Sequence, residues 1–318
     1  MSEQTETRRS SGKVLFFAAL QIAVTVGIFV ILANAWGLSP FIDAFMMLPW
    51  WSFPAAVILG GIGVLTQALR WRVIAEHHSI AVPFGPAVAR CWQSSFLNGV
   101  LPGGLAGDAL RAADDSSDAD VSAGRSALGQ AFAAMAAERL MGTAVVFIAA
   151  GLSLLTLAPV FSLASFGVAA VAIAVSWRWL RPLSLRDITR VVVFSAVGWA
   201  AFSTLFTLTI SAVTPDIPLA LAPALAAVSI AGMSIPLGFG GWGPREAAAA
   251  WAFSLAGFAP HLGVTASVSY GLLALASTLP GALILAVRVL PRLDQAKRAQ
   301  SQRRARRADQ REPIEPSF

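Results

Sequence analysis

Two stretches decide the fold, Asn98-Gly-Val-Leu-Pro-Gly-Gly-Leu-Ala-Gly-Asp-Ala-Leu-Arg111 and Ser234-Ile-Pro-Leu-Gly-Phe-Gly-Gly-Trp-Gly-Pro-Arg-Glu246. Each has a proline, then clustered glycines, then an arginine near a carboxylate, and each lies within apolar sequence. Inside a membrane, irregular backbone persists only where protein or a water-filled cavity satisfies its N–H and C=O groups. Such interruptions at corresponding places in two halves of a chain are typical of transporters that bind substrate near the membrane midplane.

The composition is that of a membrane protein. Hydrophobic residues make up 56% of the 318 residues and charged residues 13%, and the mean hydropathy is +0.69. These values exclude an ordinary soluble domain. The single Cys91 excludes an internal disulfide and a cysteine metal site, and the adjacent His77 and His78 do not place metal ligands on one helix face. We therefore expect no cofactor and no metal.

The excess positive charge is concentrated near the end of the chain. The formal net charge is +6, and eight basic residues lie within 292–311. Such a run after a final membrane helix is typical of a cytoplasmic segment that is attracted to anionic lipid head groups. The segment has no aromatic residues on which bases would stack, so we expect membrane lipids and no nucleic acid as partners.

Apolar runs predict about six full transmembrane helices, near 14–36, 50–69, 126–157, 161–177, 191–212 and 264–290. The second is expected to end at the basic boundary Arg70-Trp-Arg72. The run from Val14 to Ala33 is too long for the apolar part of a signal peptide, so we expect a retained first helix. The predicted domains are a cytoplasmic segment 1–13, a transmembrane domain 14–290 with halves of about 14–157 and 161–290, and a basic cytoplasmic tail 291–318.

The positive-inside rule predicts the path of the two interrupted segments. Four arginines lie between two of the predicted helices: Arg178, Arg181, Arg186 and Arg190. They are cytoplasmic only if 84–110 enters the membrane and returns. By the same logic, 219–258 is either a hairpin that enters from outside or two short spans that meet at the glycines. We therefore predict an all-α polytopic membrane protein with two broken re-entrant hairpins in an inverted repeat. Both termini are expected in the cytoplasm, at the cell inner membrane.

The first interrupted stretch has residues suited to an anion. Asp108 and Arg111 share a face of a helix that starts after Gly107, and the free amides of that start, with the Arg111 fork, suit a phosphate. Alternatively, Asp108 caps the helix and pairs with Arg111 in a structural role. The spacing of Gly99, Gly103 and Gly107 is also that of glycines that let two helices pack closely.

Two further charged pairs lie in apolar surroundings. Arg245 and Glu246 follow a proline that suits a helix start inside the membrane zone; the alternative is an interfacial loop whose charges face water. Glu138 and Arg139 are adjacent on a helix and therefore need partners on other segments, unless the helix enters the membrane only at about residue 140. The run Asp114–Asp120 lacks the pattern of a calcium loop, so we expect it to be solvated.

These groups of residues carry a resemblance to a known family. The string from Asn98 to Ala112, the Glu138-Arg139 pair and the string from Pro236 to Ala247 resemble the membrane region of lysylphosphatidylglycerol synthases. This flippase-like domain also occurs alone, and the resemblance covers roughly residues 14–290. It implies movement of lipids or lipid-linked groups between leaflets, without the aminoacyl-transfer activity of the synthase. The candidate substrate-binding residues are Asn98, Pro102, Gly103, Gly104, Gly107, Asp108, Arg111, Glu138, Arg139, Pro236, Gly240, Gly241, Gly243, Arg245 and Glu246.

The resulting hypothesis is a lipid flippase or related transporter for an anionic, aminoacylated or polyprenyl-phosphate-linked lipid. Arg111 and Arg245 would bind the head-group phosphate from opposite sides, and Asp108, Glu138 and Glu246 would be counter-charges or proton carriers. The alternative is a non-transporting membrane partner of a lipid-modifying or glycosyl-transfer enzyme. No activated nucleophile, ATP site or metal site is evident in the sequence, so we do not expect an enzyme.

Overall fold

The computed structural model describes, apart from a few positions between 26 and 34, residues 37–101, 106–116, 127–235 and 240–288. The predicted first helix therefore lies mainly outside the described residues. The predicted segment 1–13 and tail 291–318 lie entirely outside them.

The described chain folds into successive helices and has no strand. They are α1 (Ser39–Met46), α2 (Ser52–Glu76), α3 (Phe84–Val100), α4 (Ala106–Ser116), α5 (Ala127–Leu154), α6 (Pro159–Leu180), α7 (Leu185–Val213), α8 (Ala222–Met233), α9 (Pro244–Leu255) and α10 (Pro260–Ser277). After a turn at Thr278 the last helix continues to Arg288. Prolines begin α6, α9 and α10, where the missing N–H costs no helical hydrogen bond.

Five helical segments among the described residues are long and apolar enough to cross a membrane: Ser52–Glu76, Gly129–Leu154, Pro159–Leu180, Leu185–Val213 and Pro260–Arg288. The prediction of an all-α, multi-pass membrane protein is confirmed. The predicted end of the second helix at Leu69 is wrong, since α2 continues to Glu76. Trp71, taken from sequence as part of a boundary at the membrane surface, is instead buried, and Arg70 is only 13% exposed and paired with Glu138.

Both interrupted segments are pairs of short helices. We call α3 and α4 the first hairpin, and α8 and α9 the second hairpin. The helices α8 and α9 have 12 residues each. At 1.5 Å per residue each is about 18 Å long, which is shorter than the ~30 Å hydrocarbon core. The predicted breaks at the two glycine-rich stretches are therefore present, while the inverted orientation of the two halves stays a prediction.

The two hairpins touch at their glycine-rich ends. Gly240 has a φ of +56°, and a Cβ added there would lie 2.6 Å from the carbonyl oxygen of Gly99. Only a glycine allows this backbone conformation and this approach together. The added Cβ would also lie 3.3 Å from the carbonyl oxygen of Asn98. The glycine-rich stretch of the second half is therefore in direct contact with the glycine-rich stretch of the first half.

Each hairpin has its own apolar core. The core around the first hairpin joins residues of α2, α3 and α5, with Trp71 and Ile74 among its largest members. The core around the second hairpin joins α7, α8, α9 and α10, with Phe206 and Phe253 at its centre. Large apolar side chains on the outer faces of the spans, such as Leu163 of α6, are exposed, as expected of surfaces that contact lipid.

The end of the last span is tied to the first hairpin. Both terminal nitrogens of Arg288 donate to the two carboxylate oxygens of Asp114 at 2.6 Å, and Arg288 Nη1 also donates to Gln93 Oε1 at 3.2 Å. Nearer the start of the same span, the carbonyl oxygen of Ser277 accepts a hydrogen bond from the indole N–H of Trp92 at 3.2 Å. These bonds hold the second half of the chain to the first hairpin at the end away from Gly240.

We expect Arg288→Gln to lower the free energy of unfolding by about 1 kcal/mol, because it removes a two-bond pair that is only partly exposed. The melting temperature in detergent measures this effect. Arg190→Gln is the matched control, since Arg190 forms one exposed bond to Asp187 at 3.1 Å and should contribute less than about 0.5 kcal/mol. Equal melting temperatures for the two variants would show that the bonds between Arg288 and the first hairpin do not stabilise the fold.

Candidate functional site

The start of α4 is held by side chains from α3. The backbone N–H of Gly107 donates to Asn98 Oδ1 at 2.8 Å, and Ser94 Oγ donates to Asp108 Oδ1 at 2.8 Å. Asn98 thus satisfies a free amide at the helix start that was expected to be capped by Asp108 or to bind a phosphate. The second oxygen of Asp108 accepts a hydrogen bond from Arg139 of α5. The loop residues Pro102, Gly103 and Gly104 lie outside the described residues.

Glu138 of α5 lies between two guanidinium groups. Its Oε1 accepts from Arg70 Nη2 at 2.5 Å, and its Oε2 accepts from Arg111 Nη2. The glutamate and Arg111 are fully buried within the protein. As expected for adjacent residues of one helix, Glu138 and Arg139 find their partners on other helices. A buried carboxylate between two arginines is compensated for the loss of hydration only while both pairs are intact.

We call Arg70, Asp108, Arg111, Glu138 and Arg139 the first charge cluster. Arg111 Nη2 lies 3.9 Å from Asp108 Oδ1, so the predicted common face of these two residues is present. The side chain of Arg139 is 43% exposed, whereas that of Arg111 is 0% exposed. Arg139 is therefore the group of this cluster that outside molecules reach first.

The surroundings of Arg111 are apolar and aromatic. Its guanidinium carbon lies 5.6 Å from the ring centre of Trp71, and its Nη1 lies 3.5 Å from the sulfur of Cys91. Weakly hydrated, planar guanidinium groups are well suited to stacking on aromatic rings. Arg111 is thus in contact with the indole ring of Trp71 on α2 and with the carboxylate of Glu138 on α5.

The second charge cluster, defined as Arg245, Glu246 and Ser267, lies at the start of α9. Arg245 Nη2 donates to Glu246 Oε1 at 2.6 Å, and Ser267 Oγ of α10 donates to the same oxygen at 3.0 Å. The other oxygen of Glu246 accepts the backbone N–H of Gly243 at 2.6 Å, which caps the helix. Both charged residues are buried. The predicted helix start is confirmed, and the alternative of a loop with water-facing charges is wrong.

Aromatic rings surround Arg245. Its guanidinium carbon lies 4.7 Å from the ring centre of Trp242 and 5.3 Å from that of Tyr270. Tyr270 in turn stacks on Phe206 with ring centres 4.4 Å apart. A Cβ at Gly271 would lie 2.5 Å from the Trp242 ring and would also overlap the guanidinium, so this glycine leaves the space that Arg245 fills.

The glycine pair of the second motif, Gly240 and Gly241, lies between the first hairpin and the second charge cluster. Gly240 rests on the first hairpin at Gly99, as described above. A side chain at Gly241, whose φ is +85°, would collide with Met233, and the sulfur of Met233 lies 4.0 Å from Arg245 Nη1. The glycine pair therefore lies between the tip of the first hairpin and the guanidinium of the second cluster. Pro236 lies outside the described residues.

The expectation that the run Asp114–Asp120 is solvated is wrong for its two described aspartates. Asp114 is bound by Arg288, and Asp115 is buried, with Arg90 Nη1 donating to its Oδ1 at 3.0 Å. This part of α4 lies outside the five candidate spans, and burial there raises the pKa of Asp115 to about 6 against the opposing effect of Arg111 and Arg90. The helix continues into the acidic run because cations on α3 and at the end of the last span are placed to pair with it.

Several residues in or beside the two clusters were not predicted from the sequence. Arg70 was assigned to a membrane surface, although the apolar residues after Arg72 were a signal that the helix continues. Ser94, Ser267 and Tyr270 carried no signal, because a serine or tyrosine in an apolar helix reveals its partner only when the other helices are in place.

The chain is similar to a known protein family over part of its length. The family described as Lysylphosphatidylglycerol synthase TM region matches residues 18–193. That range includes α1 to α6, the beginning of α7, the first hairpin and the whole first charge cluster. The second hairpin lies beyond it. No curated protein matches the chain.

Proposed function

This chain belongs to the family of the lysylphosphatidylglycerol synthase transmembrane region, and from that premise we propose that it moves a lipid between the two leaflets of a membrane. One observation carries the proposal: two broken hairpins, each of which contributes a buried arginine paired with a carboxylate, touch at Gly240 and Gly99. Broken helices that meet in this way are the usual site of substrate binding in transporters with two related halves.

The burial of so many ionisable groups supports a cargo with a charged head group. Charged side chains within membrane segments are costly, face the protein interior and commonly mark substrate pathways. Glu138 and four further ionisable groups, of which Arg139 is partly exposed, come together on helices from the N-terminal part of the chain. A purely structural core is built at lower cost from apolar side chains of similar volume.

The proposed cycle starts from the closed arrangement described here. Arg111 and Arg245 are both covered and paired with carboxylates. Separation of the two hairpins at the Gly240–Gly99 contact would uncover the arginines, and a lipid phosphate would then share them with Glu138 and Glu246. Movement of one head-group charge is biased by the membrane potential by about 2.3 kcal/mol per 100 mV. In this proposal the chain is a transporter rather than an enzyme, it lies in the cell inner membrane, and its termini are cytoplasmic.

Leaflet exchange in proteoliposomes tests the proposal. Head-group-labelled fluorescent lipids of anionic and zwitterionic type are reconstituted with the protein, and the fraction reachable by an outside quencher is followed in time. We expect fast exchange with the wild type and a loss of at least about tenfold for Arg111→Ala and for Arg245→Ala, because a charge-assisted hydrogen bond contributes ~1.5–3 kcal/mol.

The control is Arg190→Ala, an exposed ion-paired arginine outside both clusters, which should exchange lipid at the wild-type rate. All variants are first compared by gel filtration and melting temperature, since Arg111 and Arg245 also stabilise the fold. Normal exchange by folded Arg111→Ala and Arg245→Ala would show that the site is misassigned. No exchange of any lipid by the wild type would favour a membrane partner of a lipid-modifying or glycosyl-transfer enzyme.

A further inference from the structure

The turn between α6 and α7 lies at the surface of the membrane. The helix α6 has 22 residues, and at 1.5 Å per residue it is about 33 Å long, close to the ~30 Å of the hydrocarbon core. Both α6 and α7 are long and apolar enough to cross a membrane, and residues 181–184 join them. The side chains that this turn exposes are therefore presented to lipid head groups and to water.

Buried leucines and a helix cap fix the shape of this turn. Leu180 and Leu183 are 5% and 6% exposed and pack into the apolar core around the first hairpin. Ser184 caps α7, since its Oγ accepts the backbone N–H of Asp187 at 3.2 Å and donates to Asp187 Oδ2 at 2.8 Å. The residues between and beside these fixed points are therefore held in a defined arrangement at the surface.

Three arginines at this turn are exposed and form no ion pair with a described residue: Arg178, Arg181 and Arg186. The carboxylate that is nearest in the sequence, that of Asp187, is already engaged. It accepts hydrogen bonds from Ser184 and, at 3.1 Å, from Arg190, and it lies 3.9 Å from Nε2 of His77. The three guanidinium groups are consequently available to an anion from outside the protein.

Large apolar side chains border these arginines. Trp177, in the last turn of α6, is 54% exposed, and Leu185, the first residue of α7, is 80% exposed. The guanidinium carbon of Arg178 lies 3.8 Å from the ring centre of Trp179. Tryptophan is enriched where spans meet the head groups, and the fork of an arginine fits two oxygens of a phosphate. Unpaired guanidinium groups beside exposed apolar side chains, at head-group level, match an anionic lipid surface better than an acidic soluble protein.

We infer that Arg178, Arg181 and Arg186 form a binding site for anionic lipid head groups of the leaflet that the α6–α7 turn faces. The bound molecule is a resident lipid of that leaflet: its phosphate meets the guanidinium groups, and its glycerol and upper acyl chain contact Trp177 and Leu185. An arginine near an anionic membrane surface strengthens binding about fivefold. The inference does not depend on the proposed function, because it uses no residue of the two charge clusters.

A local photo-crosslink on the full chain tests this site. Pro182 is exposed in the turn, and Pro182→Cys allows a photoreactive probe to be attached there, because the natural cysteine, Cys91, is buried. The protein is placed in nanodiscs of equal amounts of phosphatidylglycerol and phosphatidylcholine, and the lipids captured on illumination are counted by mass spectrometry. We expect phosphatidylglycerol to be captured at least about fivefold more often at low salt. The preference should fall as salt is raised to about 0.5 M, because salt screens exposed charges.

Variants of the turn assign the preference to its arginines. Arg181→Gln with Arg186→Gln should bring the ratio of captured lipids close to one, whereas lysine at both positions should retain most of the preference because the charges remain. The control is Asp187→Asn with Arg190→Gln, which removes one charge of each sign from the same region and should change the ratio less than about twofold. If the double glutamine variant does not fold, the salt dependence of the wild-type ratio decides.

Two results would overturn the inference. One is equal capture of the two lipids by the wild type at low salt, and the other is a preference that the double glutamine variant leaves unchanged. The arginines would then face water, where an acidic protein surface would be the fitting partner. Leaflet exchange is measured separately, so failure of the proposed transport function leaves the captured ratio unaffected, and failure of this site leaves transport standing.

Discussion

Replacing Glu138 by glutamine is expected to lower the free energy of unfolding by about 3–5 kcal/mol, because it removes the negative charge that Arg70 and Arg111 share. Glutamine keeps the shape of the side chain, so the effect isolates the charge. The amide has one acceptor oxygen, and its NH2 group would face one of the two guanidinium groups. Arg111 is held in a protein interior from which it cannot turn out to water without unpacking Trp71 and Cys91.

Thermal and denaturant unfolding in detergent micelles measures this loss. Glu76→Gln is the matched control, since Glu76 is a glutamate paired with an arginine at 3.7 Å, but its side chain is 58% exposed. Exposed pairs contribute ~0–1 kcal/mol, so the control should unfold close to the wild type. If Glu138→Gln lowers the free energy of unfolding as little as Glu76→Gln does, the first charge cluster is hydrated rather than buried.

Replacing Gly107 by alanine is expected to cost about 2–3 kcal/mol, since it overpacks the contact between the two helices of the first hairpin. The new Cβ would lie 2.6 Å from Ser94 Cα and closer still to the Ser94 carbonyl oxygen. These are backbone atoms of α3, so neither a rotamer change nor a small shift relieves the overlap. Separation of α4 from α3 would weaken the bonds from Gly107 to Asn98 and from Ser94 to Asp108.

Gly85→Ala is the control for this prediction. Gly85 also lies in a helix of the first hairpin, and an added Cβ there would meet nothing within 4 Å. Alanine has the higher helix propensity, so this variant should be unchanged or more stable by up to ~1 kcal/mol. The two variants are compared by melting temperature and by lipid exchange. Equal stability of the two variants would show that α3 and α4 are not closely packed at Gly107.

Much of the fold was predictable because a membrane imposes a local constraint. A segment that crosses hydrocarbon must satisfy its own backbone and present apolar side chains, so runs of sequence predict spans. The same reasoning located the two breaks, and Pro244 predicted the start of α9 with Arg245 and Glu246 in its first turn. The family resemblance was likewise visible in the first glycine-rich stretch and agrees with the match over residues 18–193.

The errors have one physical source, which is the placement of charges. Arg70 was assigned to the membrane surface and Asp115 to solvent. Without knowledge of a partner, contact with water is the surrounding expected to cost a charged residue least. In the structure Asp115 is buried and the Arg70 side chain is 13% exposed, and each lies beside an opposite charge on another helix. The cost of burial is offset by a partner that is unrelated in sequence, so no local pattern reveals it.

The sequence by itself determined the class of protein, the approximate position of five spans and the two breaks, and it supplied the residues proposed to bind a charged head group. Tertiary structure alone decided which charges meet, for example Arg70 with Glu138 across 68 positions and Arg288 with Asp114 across 174. It also decided that Glu138 is paired with both Arg70 and Arg111, whereas Glu246 is paired with Arg245. Hydrophobicity acts segment by segment, whereas an ion pair depends on distances that exist only once the helices have packed.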